Sequence, residues 1–340
     1  MKKKNFMVGN PNQLYKARRI SFREGVAEGV KAVELESSKG LYATVIEDQC
    51  LNIYDFSYKG INCAFQTQNG LTSNKFFNGG ANEFSYYWPA GMLFTCGLAN
   101  VGSPCEDNGI YYPQHGRVGM MPAENVHIEK TDSEVIIKGT VYDGIMCGHY
   151  FKLDRTVTFP IDGKEIKICD SVTNMEALPA EMMILYHFNF GYPLLAPGAR
   201  MVKGKGETID NLGSGIHPED CSKITEPQNN KDEEVYCHKN TPDKDGFGYA
   251  AVINDELNLG CYVKYKMDTL PLIMQWKNFC SHEYAMGLEP SNSYILGRTK
   301  ERENRTLPVL KPYETKNFEV AIGILDGTKE IEGFEKNLQF

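Results

Sequence analysis

The chain has 340 residues, 41% of them hydrophobic, and a formal net charge of -8. That is enough apolar material for a large core. No basic patch suited to nucleic acid or an anionic membrane is visible, and no apolar run is long enough for a membrane-spanning helix. The one basic cluster, "MKKK", opens the chain and is followed by "NFMVGNPNQ", which lacks the apolar core of a secretory signal. Ten cysteines are scattered without a CxxC pair. Reduced thiols in a cytoplasmic protein are the expectation.

Strand signals recur along the chain. "GVKAVELES" is mixed on both faces, as in a strand partly buried on both sides or at a sheet end, and "GLYATVIED" puts Leu41, Ala43 and Val45 on one face. "SEVIIKGTVYDG" and "RTVTFPIDGKEIKICDSVTN" are rich in Val, Ile and Thr. The second contains a Pro160–Lys164 turn with Asp162-Gly163 at its tip, which predicts a hairpin. "GYAAVINDELNLGCYVKYKM", "LPLIMQWKNF" and "KNFEVAIGIL" continue the pattern. Few stretches read as helix. The expectation is an all-β chain of packed antiparallel sheets. Two long stretches, "FQTQNGLTSNKFFNGGANEFSYYWPAG" and the polar one from Lys203 to Gly248, show no period. Loops of that length are usually functional or hide elements. No repeat and no interdomain linker is evident, so residues 1–340 read as one unit.

Of seven histidines, His127 and His149 fall in strand-like segments, and His217, His238 and His282 in polar ones. No HxH or HExxH spacing supports a metal site, and no cofactor motif is present. His115 lies in "YYPQHGRVGMMPAENV", bracketed by Pro113 and Gly116, with Arg117 close behind. Such a pair can present a ring nitrogen and a cation to a polar ligand, or form an ordinary surface turn. In "ILYHFNF" at period two, Leu185, His187 and Asn189 share one face, and Tyr186, Phe188 and Phe190 the other. The first face suits the floor of a cleft, although a buried, hydrogen-bonded core histidine is the commoner meaning of such a segment. Glu289, between Leu288 and Pro290, is expensive to bury without partners, or it is an edge carboxylate in water. In "MQWKNF", Gln275 and Lys277 share a face opposite Trp276, and either face could serve a sugar.

Taken together, "FTCGLANVGSPC", "YPQHGRVGMMPA", "ICDSVTN", "LYHFNFGYPLL", "QWK", "MGLEPSNSYILGR" and "LPVLKPYE" resemble the galactose mutarotase-like superfamily. The branch they resemble is that of the aldose 1-epimerase family proteins (DUF4432), over most of the chain. The resemblance implies a large antiparallel β-sandwich, a supersandwich, and interconversion of the α and β anomers of a monosaccharide. It implies His187 as general acid and Glu289 as general base, without metal or organic cofactor. It also implies a substrate-contacting His115, and Asn189, Arg117, Gln275 and Lys277 are further expected substrate contacts. Arg117 stands where the mutarotases have glycine, so galactose is not assumed. A cation two residues after His115, in a chain that is acidic overall, leads to the expectation of a sugar with an acidic group or several well-placed hydroxyls. Where relatives read like "RGLDI", this chain has "QCLNI", with Gln49 and Asn52. A substrate difference follows if those positions touch ligand.

Mutarotation fits the residue types. The anomeric hydroxyl loses a proton while the ring oxygen gains one, and each positioned acid or base contributes roughly 10²–10⁴-fold. Two alternatives stand beside it. One is a sugar-binding protein without catalysis. The other is a hydrolase or lyase on a related sandwich; a hydrolase needs a second carboxylate. For that second group only the loop residues Asp107, Asp143 and Glu283 come forward. The expected partner is a monosaccharide or sugar derivative, with no nucleic acid and no membrane.

Overall fold

A computed structural model describes residues 7–80, 83–210 and 215–338. Val, Ile, Thr and aromatic residues at period two fold into two large antiparallel sheets. The first has eleven strands. Its middle is formed by Asn52–Tyr58, Leu93–Leu98, Met183–Phe190, Glu283–Ser291, Leu272–Cys280 and Glu234–Asn240, hydrogen-bonded in that order. The second has eight, with Glu124–Lys130, Glu134–Gly144, Tyr150–Pro160 and Glu165–Asn174 at one end. The predicted Pro160–Lys164 turn joins the last two as a hairpin. No described helix is long and apolar enough to cross a membrane.

One apolar core lies between the sheets. It takes Tyr186, Phe188 and Phe190 from the Met183–Phe190 strand, together with Phe151, Leu153, Val157 and Phe159 from the facing sheet. The period-two reading of "ILYHFNF" therefore holds, and His187 is left on the opposite face. Buried within this core is one ion pair. Arg155 donates from Nε (2.9 Å) and Nη2 (2.6 Å) to the two oxygens of Asp170. The Tyr186 hydroxyl donates to Asp170 at 2.7 Å. Thr95 and the Cys50 carbonyl take the remaining guanidinium edge, each at 2.8 Å. This bidentate pair clamps the Met183–Phe190 strand from below.

Asn52 and Gln49 belong to the same scaffold. Asn52 donates to the Gly119 carbonyl and accepts from Thr95, and Gln49 donates to the Thr72 carbonyl. Both are buried away from the cleft described below, so these positions do not alter ligand contacts there.

The two aperiodic stretches hide elements. The aromatic one contains the short helix Glu83–Tyr87, and the polar one contains strands Gly206–Asp210 and Glu234–Asn240. Strand Glu234–Asn240 was masked by its charges. His238, expected in a polar loop, is fully buried in it between Thr208 (2.8 Å) and Gln275 (3.0 Å).

Candidate active site

On the outer face of the first sheet, three adjacent strands bring His187, Glu289 and Trp276 together. Registers explain this. His187 and Glu289 lie on the neighbouring strands Met183–Phe190 and Glu283–Ser291, and Trp276 pairs with Gly287 across the next ladder. The Pro113–Arg117 turn adds His115, and the Glu83–Tyr87 helix with its C-terminal flank adds Phe84 and Trp88. These residues, with Glu233, line a cleft of about 240 Å³. That is below the roughly 300–1,000 Å³ of drug-sized pockets and suits a single ring.

His187 Nε2 lies 3.2 Å from Glu289 Oε1, and both side chains are almost wholly buried. The approach is not aligned as a hydrogen bond: Oε1 has no donor, and His187 Nδ1 has no partner. Trp88 Nε1 is a third buried atom here without a partner. Buried polar groups are nearly always satisfied, so three unpartnered atoms together set this cleft apart from the surrounding sheet. Gly287 makes the room. A Cβ there would stand 2.1 Å from Glu289 Oε1 and 3.2 Å from His187 Cε1.

Burial disfavours charge on both members of the pair. It holds the His187 imidazole well below its ordinary value, with His115 adding to the effect and Asn189 opposing it. It raises the Glu289 carboxyl well above its ordinary value, assisted by the charge of Glu233. Both shifts run toward a neutral pair, an unprotonated imidazole beside a protonated carboxyl. The resemblance implied the reverse, a carboxylate beside an imidazolium. Both arrangements contain one proton, so the pair can still give one and take one.

His115 is set by its own backbone. It adopts φ +57°, and its Nδ1 accepts from the Gly102 amide at 3.4 Å. Burial lowers its pKa to about 4, so the ring is neutral and carries its proton on Nε2. Its ring centroid stands 5.8 Å from that of His187 and 5.0 Å from Phe84. Trp88 and Trp276 stand 5.1 and 5.7 Å from His187 and 5.8 Å from each other. The Trp276 indole donates to Glu233 at 2.8 Å, which fixes its plane.

The remaining expected contacts lie elsewhere. Asn189 shares the His187 face but is fully buried, and its amide donates to the Gly91 and His187 carbonyls, each at 2.9 Å. Gln275 and Lys277 point through the sheet to the other side. Gln275 binds His238 and the Cys221 carbonyl, and Lys277 pairs with Glu234 at 2.8 Å. The indole is the member of "QWK" that faces the cleft. Arg117 turns away from His115 and pairs with Asp143 at 3.1 Å in a separate cavity. Neither expected cation lines the cleft. Glu233, Phe84 and Trp88 were not singled out in the sequence, because their segments carry no periodicity. Asp107, Asp143 and Glu283, expected in loops, lie on strands: Asp107 is held by Arg298 and Arg302, and Glu283 accepts from Gln68. No group of three or more metal-ligating side chains occurs among the described residues.

Solved structures share this architecture. A candidate aldose 1-epimerase from Klebsiella pneumoniae superposes with a TM-score of 0.90 at 24% identity, covering 97% of this chain and 90% of that one. A galactose mutarotase-like protein from Clostridium acetobutylicum gives 0.66 at 14% identity, covering 93% and 100%. Galactose 1-epimerase from Lactobacillus acidophilus gives 0.60 at 10%, covering 92% and 99%. At these identities the likeness is one of fold. No curated protein matches the chain. The family model described as a domain of unknown function, DUF4432, matches residues 27–324, and the chain belongs to that family.

Proposed function

We propose that the protein interconverts the anomers of a neutral monosaccharide, with His187 and Glu289 as its proton-transfer pair. The observation that carries this reading is the 3.2 Å approach of two buried titratable groups, one able to accept a proton and the other to give one. The anomeric oxygen and the ring oxygen are bonded to one carbon and lie closer together than a hydrogen-bond length. Two groups one hydrogen-bond length apart can therefore address both at once.

The steps balance. The unprotonated His187 Nε2 takes the proton of the anomeric hydroxyl, and protonated Glu289 gives its proton to the ring oxygen. The C1–ring oxygen bond breaks, and the anomeric C–O becomes a carbonyl. After rotation about C1–C2 the carboxylate takes the new hydroxyl's proton, the hydroxyl oxygen attacks the other carbonyl face, and the imidazolium returns its proton to O1. His115 Nε2–H supplies a neutral donor beside the pair, and the indoles pack against the sugar's C–H faces.

The sugar is neutral on this reading. Among the described residues no Lys or Arg lines the cleft, whereas Glu233 and Glu289 do. An anionic sugar would enter an acidic, poorly hydrated site without a counter-charge. Of the two alternatives expected from Arg117, this keeps the hydroxyl-bearing sugar and sets aside the acidic one.

NMR exchange between α and β anomers, over a panel of neutral aldoses, a uronate and a sugar phosphate, tests the reading. Acceleration for at least one neutral sugar and none for the anions is expected. Binding without acceleration across the neutral sugars would favour the non-catalytic alternative. A second reading, glycoside hydrolysis, draws on Glu233 as another carboxylate in the cleft. Release of reducing sugar from a glycoside panel would establish it.

A further inference from the structure

On the other side of the Pro113–Arg117 turn lies a second cavity, of about 170 Å³. The turn serves both: His115 lines the cleft, and Arg117 lines this cavity. Beside Arg117 its polar lining includes Asn78, Asp143 and His149, and the last two flank the tip of the hairpin joining strands Glu134–Gly144 and Tyr150–Pro160. Asp143 is 1% exposed. Its Oδ1 accepts from Arg117 at 3.1 Å, while its Oδ2 is buried without a partner. The His149 side chain is 10% exposed, and neither ring nitrogen has a hydrogen-bond partner. Its Nε2 stands 3.7 Å from Asp143 Oδ1, within ion-pair range when the ring is protonated but longer than a direct hydrogen bond. The ring is held in place by stacking between Tyr112 and Phe151.

Three unsatisfied polar atoms on two fixed side chains are costly to bury unless something enters to satisfy them. Charge narrows the class. Arg117 and Asp143 offset each other, so neither a free anion nor a free cation is favoured. A zwitterion would have to part the Arg117–Asp143 pair to reach both charges. Hydroxyl groups need no such disruption. One can donate to Asp143 Oδ2 and another can donate to or accept from His149, because a hydroxyl does both. Tyr111 and Ile145 at the cavity are 45% and 40% exposed, an apolar rim suited to a C–H face.

We propose that this cavity is a second binding site for a neutral polyol, the hydroxyl-bearing edge of a sugar, held by Asp143 and His149. The site stands apart from the chemistry proposed for His187 and Glu289.

The test is histidine-selective ¹⁵N NMR of the full chain, titrated with glycerol and with a methyl galactoside, which has no free anomeric hydroxyl to exchange. The expected result is a saturable shift of the His149 ring resonances with at least one polyol. Asp143→Asn should weaken it at least about tenfold, equal to about 1.4 kcal/mol. If that variant does not fold, the wild-type titration decides alone. No saturable His149 shift with either polyol would overturn the proposal. So would a response to glycine, ammonium or phosphate in place of the polyols. The His187 and His115 resonances report on the cleft separately, so failure here is distinguishable from failure there.

Discussion

The His187 imidazole and the Glu289 carboxyl stand 3.2 Å apart, in a place where burial disfavours charge on both. Their titration belongs to the pair and not to either residue. The rate of anomer exchange should fall on the acid side as the pair gains a second proton, and on the alkaline side as it loses its only one.

Glu233 sets part of that alkaline limit. Its charge helps to raise the Glu289 carboxyl, and its side chain also accepts from the Trp276 indole. Glu233→Gln keeps an acceptor for the indole and removes the charge. Glu289 should then ionise at lower pH, so the alkaline limb of the pH–rate profile should move to lower pH. A superimposable profile would show that the two carboxyls do not interact.

Gly287 is there for space. Its Cβ position is occupied by Glu289 Oε1, with His187 Cε1 close behind. Gly287→Ala should displace the carboxyl and lower exchange about 10²-fold, the scale of one lost acid–base group. The protein should still unfold in one cooperative thermal transition. Wild-type activity in the Ala variant would mean that Glu289 has slack to move and that its placement is not critical.

Acid should destabilise the fold through its buried histidines. His238 is fully buried, and burial lowers its pKa from 6.5 to about 4. Between those values the unfolded chain binds more protons than the native one, so stability falls as pH drops from 6.5 towards 4. His238 alone accounts for on the order of 3 kcal/mol across that window. His115 and His187 act in the same direction, and Glu289, whose carboxyl is raised, acts in the opposite one. Thermal unfolding measured across this range should show Tm falling with acid. His238→Gln should flatten the slope, and an unchanged slope would place the acid sensitivity elsewhere.

Much of the fold was legible in the sequence because period-two alternation reports directly on which strand face is buried. "ILYHFNF" is the clearest case: Tyr186, Phe188 and Phe190 are core, and His187 is not. The hairpin at Asp162-Gly163 was legible for a similar local reason, its turn chemistry. What one strand cannot reveal is which of its two faces meets the ligand. Gln275 and Lys277 were expected at the sugar, yet their face lies across the sheet from it, and Trp276 is the residue in the cleft. Arg117 was misplaced because a turn can send adjacent side chains into different cavities. Glu233, Phe84 and Trp88 were invisible because tertiary packing, not periodicity, brings their segments over the sheet.

The exchange rates of Glu289→Gln and His187→Asn, on a sugar that the wild-type protein turns over, decide whether this pair moves the protons. Two-dimensional NMR exchange between α and β anomers measures them. Gln keeps the shape of Glu289 but holds no transferable proton, and Asn cannot act as the ring's base. Each single variant should lose about 10²-fold or more, and the double variant less than the product, because the two groups act as one unit. Exchange at the wild-type rate in Glu289→Gln would contradict the account, and with it the assignment of this cleft as the place where protons move.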